Sequence, residues 1–232
     1  MTSLWQRVYD SPWHVPGLVV AMSLATLGYA WTKRRDDGSG LARFFTGWLG
    51  LFGAAIVADA MLTAPGSPLL PADAGVVQWL SIAFILLGDV RAYVLVARVT
   101  WRDEDASRAV ATGALWGALV SVLMAAPARL VPAMQHNPRW IYLTYELLAL
   151  AQALVWRFAV LPRRGGVGAE RARWGRDVMG FVAVQYGLWA LADVVILSGV
   201  GAGYGLRVVP NVLYYGAFVG YVFVRAPRSL RS

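Results

Sequence analysis

The sequence predicts an all-α integral membrane protein: seven transmembrane helices in a 3+1+3 parallel repeat, with the N-terminus outside and the C-terminus cytoplasmic. Three observations predict it. Long apolar stretches recur through a 232-residue chain that is 58% hydrophobic and only 15% charged, where soluble domains carry about 25% charged residues. Basic residues alternate from one side to the other along the chain. Two motifs are each written twice, in matched order: Gly53 leads by six residues to Asp59 and Gly187 by six to Asp193, then Gly88 leads by five to Tyr93 and Gly216 by five to Tyr221.

Spans are expected near 16–32, 45–63, 76–97, 108–126, 140–161, 177–198 and 207–224. Each is close to the about 20 residues that a hydrocarbon core requires, and only helices satisfy their own backbone in lipid without closing a barrel. Span 1 follows Pro12-Trp13 and leaves into Lys33-Arg34-Arg35, the flank of an uncleaved anchor rather than a signal peptide. Span 2 carries Gly53 and Asp59 and ends at an outer loop over 64–71, rich in Pro and Gly. Span 3 carries Gly88, Asp89, Arg91 and Tyr93. Span 4 has Gly113, Gly117 and Ser121 at four-residue spacing, a close-packing stripe within the bundle, with dimerisation as its other use. Span 5 follows Pro138-Arg139-Trp140 and leaves into Arg163-Arg164, opening a basic, flexible, lipid-facing loop over 163–175. Span 6 carries Gly187 and Asp193, and span 7 opens on Pro210-Asn211.

Sixteen Lys and Arg fall in the 33–44, 98–108 and 157–176 loops and the C-terminal tail. Four (Arg7, Arg129, Arg139 and Arg207) fall on the other side. This bias places the sixteen in the cytoplasm of a multi-pass protein of the inner (plasma) membrane. Spans 2 and 3 match spans 6 and 7, and spans 1 and 5 share their entry and exit. Repeat A therefore covers about 12–100, span 4 (108–126) is the inverting linker, and repeat B covers about 138–226 of one membrane domain. A pI near 10.2 would point a soluble protein toward nucleic acid. Here the basic residues flank spans, so the expected partners are the bilayer and anionic headgroups at the cytoplasmic loops, with no nucleic acid.

Ionisable groups inside spans are costly and are functional candidates by default. Asp59, Glu146, Asp193 and Asn211 stand at similar depth on four helices; facing inward they form a polar cavity opening outward, the alternative being that the carboxylates bond to Tyr, Trp and backbone groups and fix helix packing. Tyr93, Tyr145, Trp189, Tyr214 and Tyr215 are the cavity's expected aromatic walls. The four polar residues are assigned to binding or proton relay, and Asp89, which lies deeper, to a relay or gate. Arg91, two residues on, points about 200° away and shares a face with Arg98, so both are placed at an inner gate or interface, with Arg91 snorkelling toward the cytoplasm. Asp59 and Asp193, meeting across the axis, would titrate as a coupled pair. A carboxylic acid held out of water can load and release a proton near neutral pH.

Several chemistries are excluded. The chain has no Cys, hence no disulfide, thiolate or Cys-metal site. His14 and His136 lie in outer segments, read as surface or interfacial, without a second metal ligand and outside the spans where haem would need one. No phosphate-binding loop or Ser-His-Asp set occurs. No cofactor is expected.

The layout resembles the microbial rhodopsins, which also place the N-terminus outside and an Asp in helix 3. That resemblance implies a retinal-bearing Lys in helix 7, but Lys33 is the sole lysine, so a Schiff base is ruled out. It also resembles the SWEET and PQ-loop carriers in its 3+1+3 plan and in Pro16 and Pro210-Asn211, although spans 2, 5 and 6 lack the matching prolines and no Pro-Gln pair occurs. These expectations favour a transporter or permease-like protein for a small solute, proton-coupled through its carboxylates. The alternatives are a seven-helix sensor binding a hydrophobic ligand noncovalently, or a structural subunit whose eleven Trp form interfacial belts. A homo-oligomer or a membrane partner is compatible with each, and an intramembrane enzyme comes last.

Overall fold

The structure is a computed structural model, which describes residues 3–33, 39–63, 67, 69–71, 75–163 and 168–231. All regular structure among these residues is helical. Seven helices are long and apolar enough to cross a membrane: α1 (Trp13–Lys33), α2 (Gly40–Thr63), α3 (Gly75–Thr100), α4 (Asp103–Leu130), α5 (Arg139–Arg163), α6 (Ala169–Leu197) and α7 (Ala202–Arg225). The chain is a multi-pass membrane protein. A short helix, Leu4–Tyr9, precedes α1 and packs on the start of α7, where Gly205 leaves room for the Trp5 ring.

Neighbours in sequence are neighbours in space. Each helix packs on the next, α7 closes against α1, and α3 meets α6 across the middle. α3 therefore touches α2, α4 and α6 at once. From Gly88 to Trp101 only Val90 and Arg98 are less than fully buried. The closest approach is α4 on α3. A Cβ at Gly113 would stand 2.5 Å from Cα of Val94, and one at Gly117 2.7 Å from the Val90 nitrogen. The glycine stripe of α4 is thus spent inside the bundle.

α7 departs from regular geometry. Pro210 lacks an N–H to donate, and a wide π turn follows over Val212–Ala217. α1 supplies hydroxyls to this stretch: Ser23 Oγ lies 2.5 Å from the Tyr215 carbonyl and 2.8 Å from that of Val19, while Thr26 Oγ1 lies 3.2 Å from that of Gly216. Lipid offers such carbonyls no water. Ser23→Ala is expected to lower stability by about 1 kcal/mol, read as an earlier unfolding midpoint in detergent, whereas exposed Thr32→Ala should leave it unchanged.

The half of the bundle carrying Lys33, Arg98 and Arg163, the basic end, is filled by large side chains. Phe45, Trp156, Trp174 and Phe223 are all at most 2% exposed, and the Trp174 indole donates to the Val222 carbonyl at 3.1 Å. Trp174 corrects the expected 163–175 loop: from Ala169 onward the segment is the opening of α6. Arg171 donates to the carbonyls of Val99 (2.6 Å) and Trp101 (3.1 Å) at the end of α3, where a helix leaves acceptors unsatisfied and favours a cation. Those contacts, invisible in the local composition, hold the segment to the bundle. Arg34, Arg35, Arg164 and half of the 64–71 loop lie outside the described residues.

Candidate functional site

Away from the basic end the helices part around a cleft of about 340 Å³, within the size range of small-molecule sites. Helices α2 to α7 all contribute to it, and Tyr9 of the N-terminal helix lies at its edge. One stripe of α7 forms one wall: Arg207, Asn211, Tyr214 and Tyr215 recur at helical spacing. On α6, Tyr186 and Trp189 lie three residues apart on the same face, and on α5 Tyr142, Tyr145 and Glu146 do the same.

Of the residues expected to form a cavity, Asp59, Glu146, Asn211, Tyr145, Trp189, Tyr214 and Tyr215 do line this one. Asp59 receives hydrogen bonds from Thr63 Oγ1 (2.6 Å) and the Tyr215 hydroxyl (3.1 Å). Asn211 Oδ1 accepts from the Trp189 indole at 2.8 Å. Asp89 sits behind the aromatic wall. Its two oxygens accept from the hydroxyls of Tyr145 and Tyr186, so two cavity-lining phenols connect it to the cleft.

Asp193 is placed differently from its expected position. It is fully buried and does not line the cleft. Arg207 pairs with it, and Arg139 reaches it at 3.2 Å. Arg207 also pairs with Glu146 at 3.3 Å. Asp59 and Asp193 therefore do not meet as a coupled pair: the first is held by hydroxyls of α2 and α7, the second by guanidiniums. The expectation failed because Arg139 and Arg207 were assigned to the outer surface. A buried carboxylate needs a compensating charge, and these arginines supply it.

Arg91 is a second correction. It does not snorkel: it is 3% exposed, with its guanidinium carbon 4.2 Å from the ring centre of Tyr214, 4.9 Å from Phe52 and 5.5 Å from Phe218. Asp89 and Arg91 do point to different sides of α3, toward α5/α6 and toward α2/α7. Because α3 is central, both sides are interior, and Arg91 lies under the cavity floor through Tyr214. Gly88 is small because the Tyr214 hydroxyl lies against it. Arg98 stays at the basic end, 2.9 Å from Asp103. Tyr93 is not a cavity wall; it packs edge-on against Trp156 at 5.0 Å.

His14 is a third correction. It stands in the first turn of α1, inside the first candidate span, and is 4% exposed rather than superficial. Its Nδ1 is 2.9 Å from the Tyr9 carbonyl, and its ring is 5.1 Å from that of Tyr9. The break in α1 at Val15 turns this residue inward beneath the N-terminal helix.

Arg207, Tyr186, Tyr142 and Tyr9 were not anticipated. A signal existed for two of them: Arg207 is four residues before Asn211, and Tyr186 three before Trp189 and seven before Asp193, so each shares a helical face with a residue already singled out. No family model, curated protein or solved structure matches this chain.

Proposed function

We propose that the protein is a carrier of the bacterial inner (plasma) membrane that binds a small solute in the cleft and couples its movement to protons. The observation that carries this reading is the alignment of carboxylates at two levels of one route. Asp59 and Glu146 line the cleft, and Asp89, behind the wall, is joined to it by the hydroxyls of Tyr145 and Tyr186. Protonation of Asp89 would turn one of its oxygens from an acceptor into a donor, so that one of the two phenols must rearrange while the other stays bonded to the carbonyl oxygen, a local event that solute binding in the cleft can sense. In this reading the basic end faces the cytoplasm and anionic headgroups, and the N-terminus lies outside. The two three-helix repeats rock about the cleft, with the proline and π turn of α7 as the compliant element.

A test is flux in proteoliposomes under a pH gradient, with a panel of small amines, carboxylates and sugars. Asp89→Asn is expected to cut pH-driven flux at least tenfold while the protein still binds solute. Full flux in Asp89→Asn would remove the proton role. Binding without any flux would favour a second reading, a ligand-binding receptor. One observation speaks for that alternative: below Asp89 and Arg91 the basic half is filled by Trp156, Trp174, Phe45 and Phe223.

A further inference from the structure

Charge and ring chemistry in the cleft narrow what it takes. Of the charged side chains that line it, two are carboxylates, Asp59 and Glu146, and one is a guanidinium, Arg207. Arg207's charge is already balanced by two carboxylates, Asp193 and Glu146, both met through Nη1, although its Nε has no hydrogen-bond partner. Asp59 is held by neutral hydroxyls, and among the described residues no arginine or lysine lies within ion-pair distance of it. Glu146 is 4% exposed, and its Oε2 has no hydrogen-bond partner. A buried carboxylate oxygen without a donor is expensive and calls for a cation or donor from a ligand.

The rings point the same way. Tyr145 and Tyr186 donate their hydroxyls to Asp89, and Tyr215 donates to Asp59. A phenol that donates to a carboxylate has its polar end occupied and its ring enriched in electron density, so any face it turns to a ligand is a negative one. Trp189 has likewise spent its indole N–H on Asn211. Rings with such faces attract cations. The chain already uses them so: Arg91 lies over Tyr214, and Arg139 and Arg207 each lie 5.7 Å from the centre of Tyr142. The faces of Tyr145, Tyr186 and Trp189 have no such cation among the described residues.

We infer that the cleft binds a small organic cation, an amine or quaternary ammonium with a flat apolar body, its charge facing Glu146 and Asp59 and its body lying against Tyr145, Tyr186 and Trp189. This rests on the cleft being the solute site of the proposed carrier, and it adds the substrate class.

The experiment is calorimetric titration of the full chain in phosphatidylcholine nanodiscs, with empty nanodiscs as background. The probes are three compounds of similar size: benzyltrimethylammonium (cationic), N-benzylacetamide (neutral) and phenylacetate (anionic). The cation is expected to bind at least tenfold more tightly than either of the others. Glu146→Gln, which leaves Arg207 its Asp193 partner, is expected to erase that preference while N-benzylacetamide binds as before. Loss of all binding in Glu146→Gln would indicate a damaged site, so Asp59→Asn is measured beside it and is expected to reduce the same preference at least threefold. Equal binding of the three probes, or a preference for phenylacetate, overturns the inference. Tight cation binding without flux overturns the carrier reading alone, and pH-driven flux of phenylacetate overturns the cation class alone.

Discussion

Arg207→Met is expected to be the most damaging single substitution at the site, lowering stability by about 3–5 kcal/mol. The guanidinium sits between Glu146 and Asp193, and both carboxylates are essentially out of contact with solvent. Removing it strips Glu146 of its ion-pair partner and leaves Asp193 with Arg139 alone, at 3.2 Å. The cost is therefore that of an orphaned buried charge rather than of lost packing, since Met keeps most of the stem. A second substitution separates the two. Arg207→Met combined with Glu146→Gln takes away the orphan and should recover more than half of the loss. Glu146→Gln alone should cost far less, because Arg207 retains Asp193. Unfolding midpoints of the four proteins in one detergent give the coupling directly. Additive losses would show that Arg207 and Glu146 are not coupled.

Gly117→Leu is expected to prevent stable packing of α4 on α3, with a cost above the usual 1–3 kcal/mol of an overpacked core. What a side chain would strike there is backbone, at Val90 and Asp89, not the flexible end of a neighbour. Even Gly117→Ala forces the helices apart. Separation would also disturb Asp89, which stands on the same turn of α3, so residual folded protein should lose any function that depends on Asp89. Gly50→Leu is the contrast: nothing lies within 4 Å of a Cβ there, and it should fall within about 0.5 kcal/mol of the parent. Yield of monodisperse protein and its unfolding midpoint decide the matter. Equal behaviour of the two leucine variants would mean the close approach of α3 and α4 is not used.

Seven spans were legible because burial in lipid is written along the chain as hydropathy, and only their ends moved. α6 begins at Ala169 because Arg171 and Trp174 find partners on α3 and α7 that lie far away in sequence. Much of the cleft was legible too, since carboxylates, Asn and Tyr inside a span mark a polar interior wherever they stand. Arg207 and Arg139 were not, because an arginine near a span end looks the same whether it meets headgroups or a buried acid. Asp89 and Arg91 show the limit most clearly. Their angular separation could be computed from helix geometry, but the expectation that Arg91 therefore snorkels toward the cytoplasm assumed that the far side of α3 leads out of the bundle.

The sequence by itself determined that this chain has seven segments long and apolar enough to cross a membrane, which end is basic, and which polar residues are too costly in lipid to face it. Tertiary structure alone decided their partners: Asp193 with Arg207 rather than with Asp59, Asp89 with two tyrosines, Arg91 under Tyr214. The reason is geometric. Hydropathy and charge report position along the membrane normal, one coordinate per residue. Pairing depends on the rotation of each helix and on its place in the bundle, which here puts the half of α3 from Gly88 onward at the centre, with interior on both of the sides that Asp89 and Arg91 face.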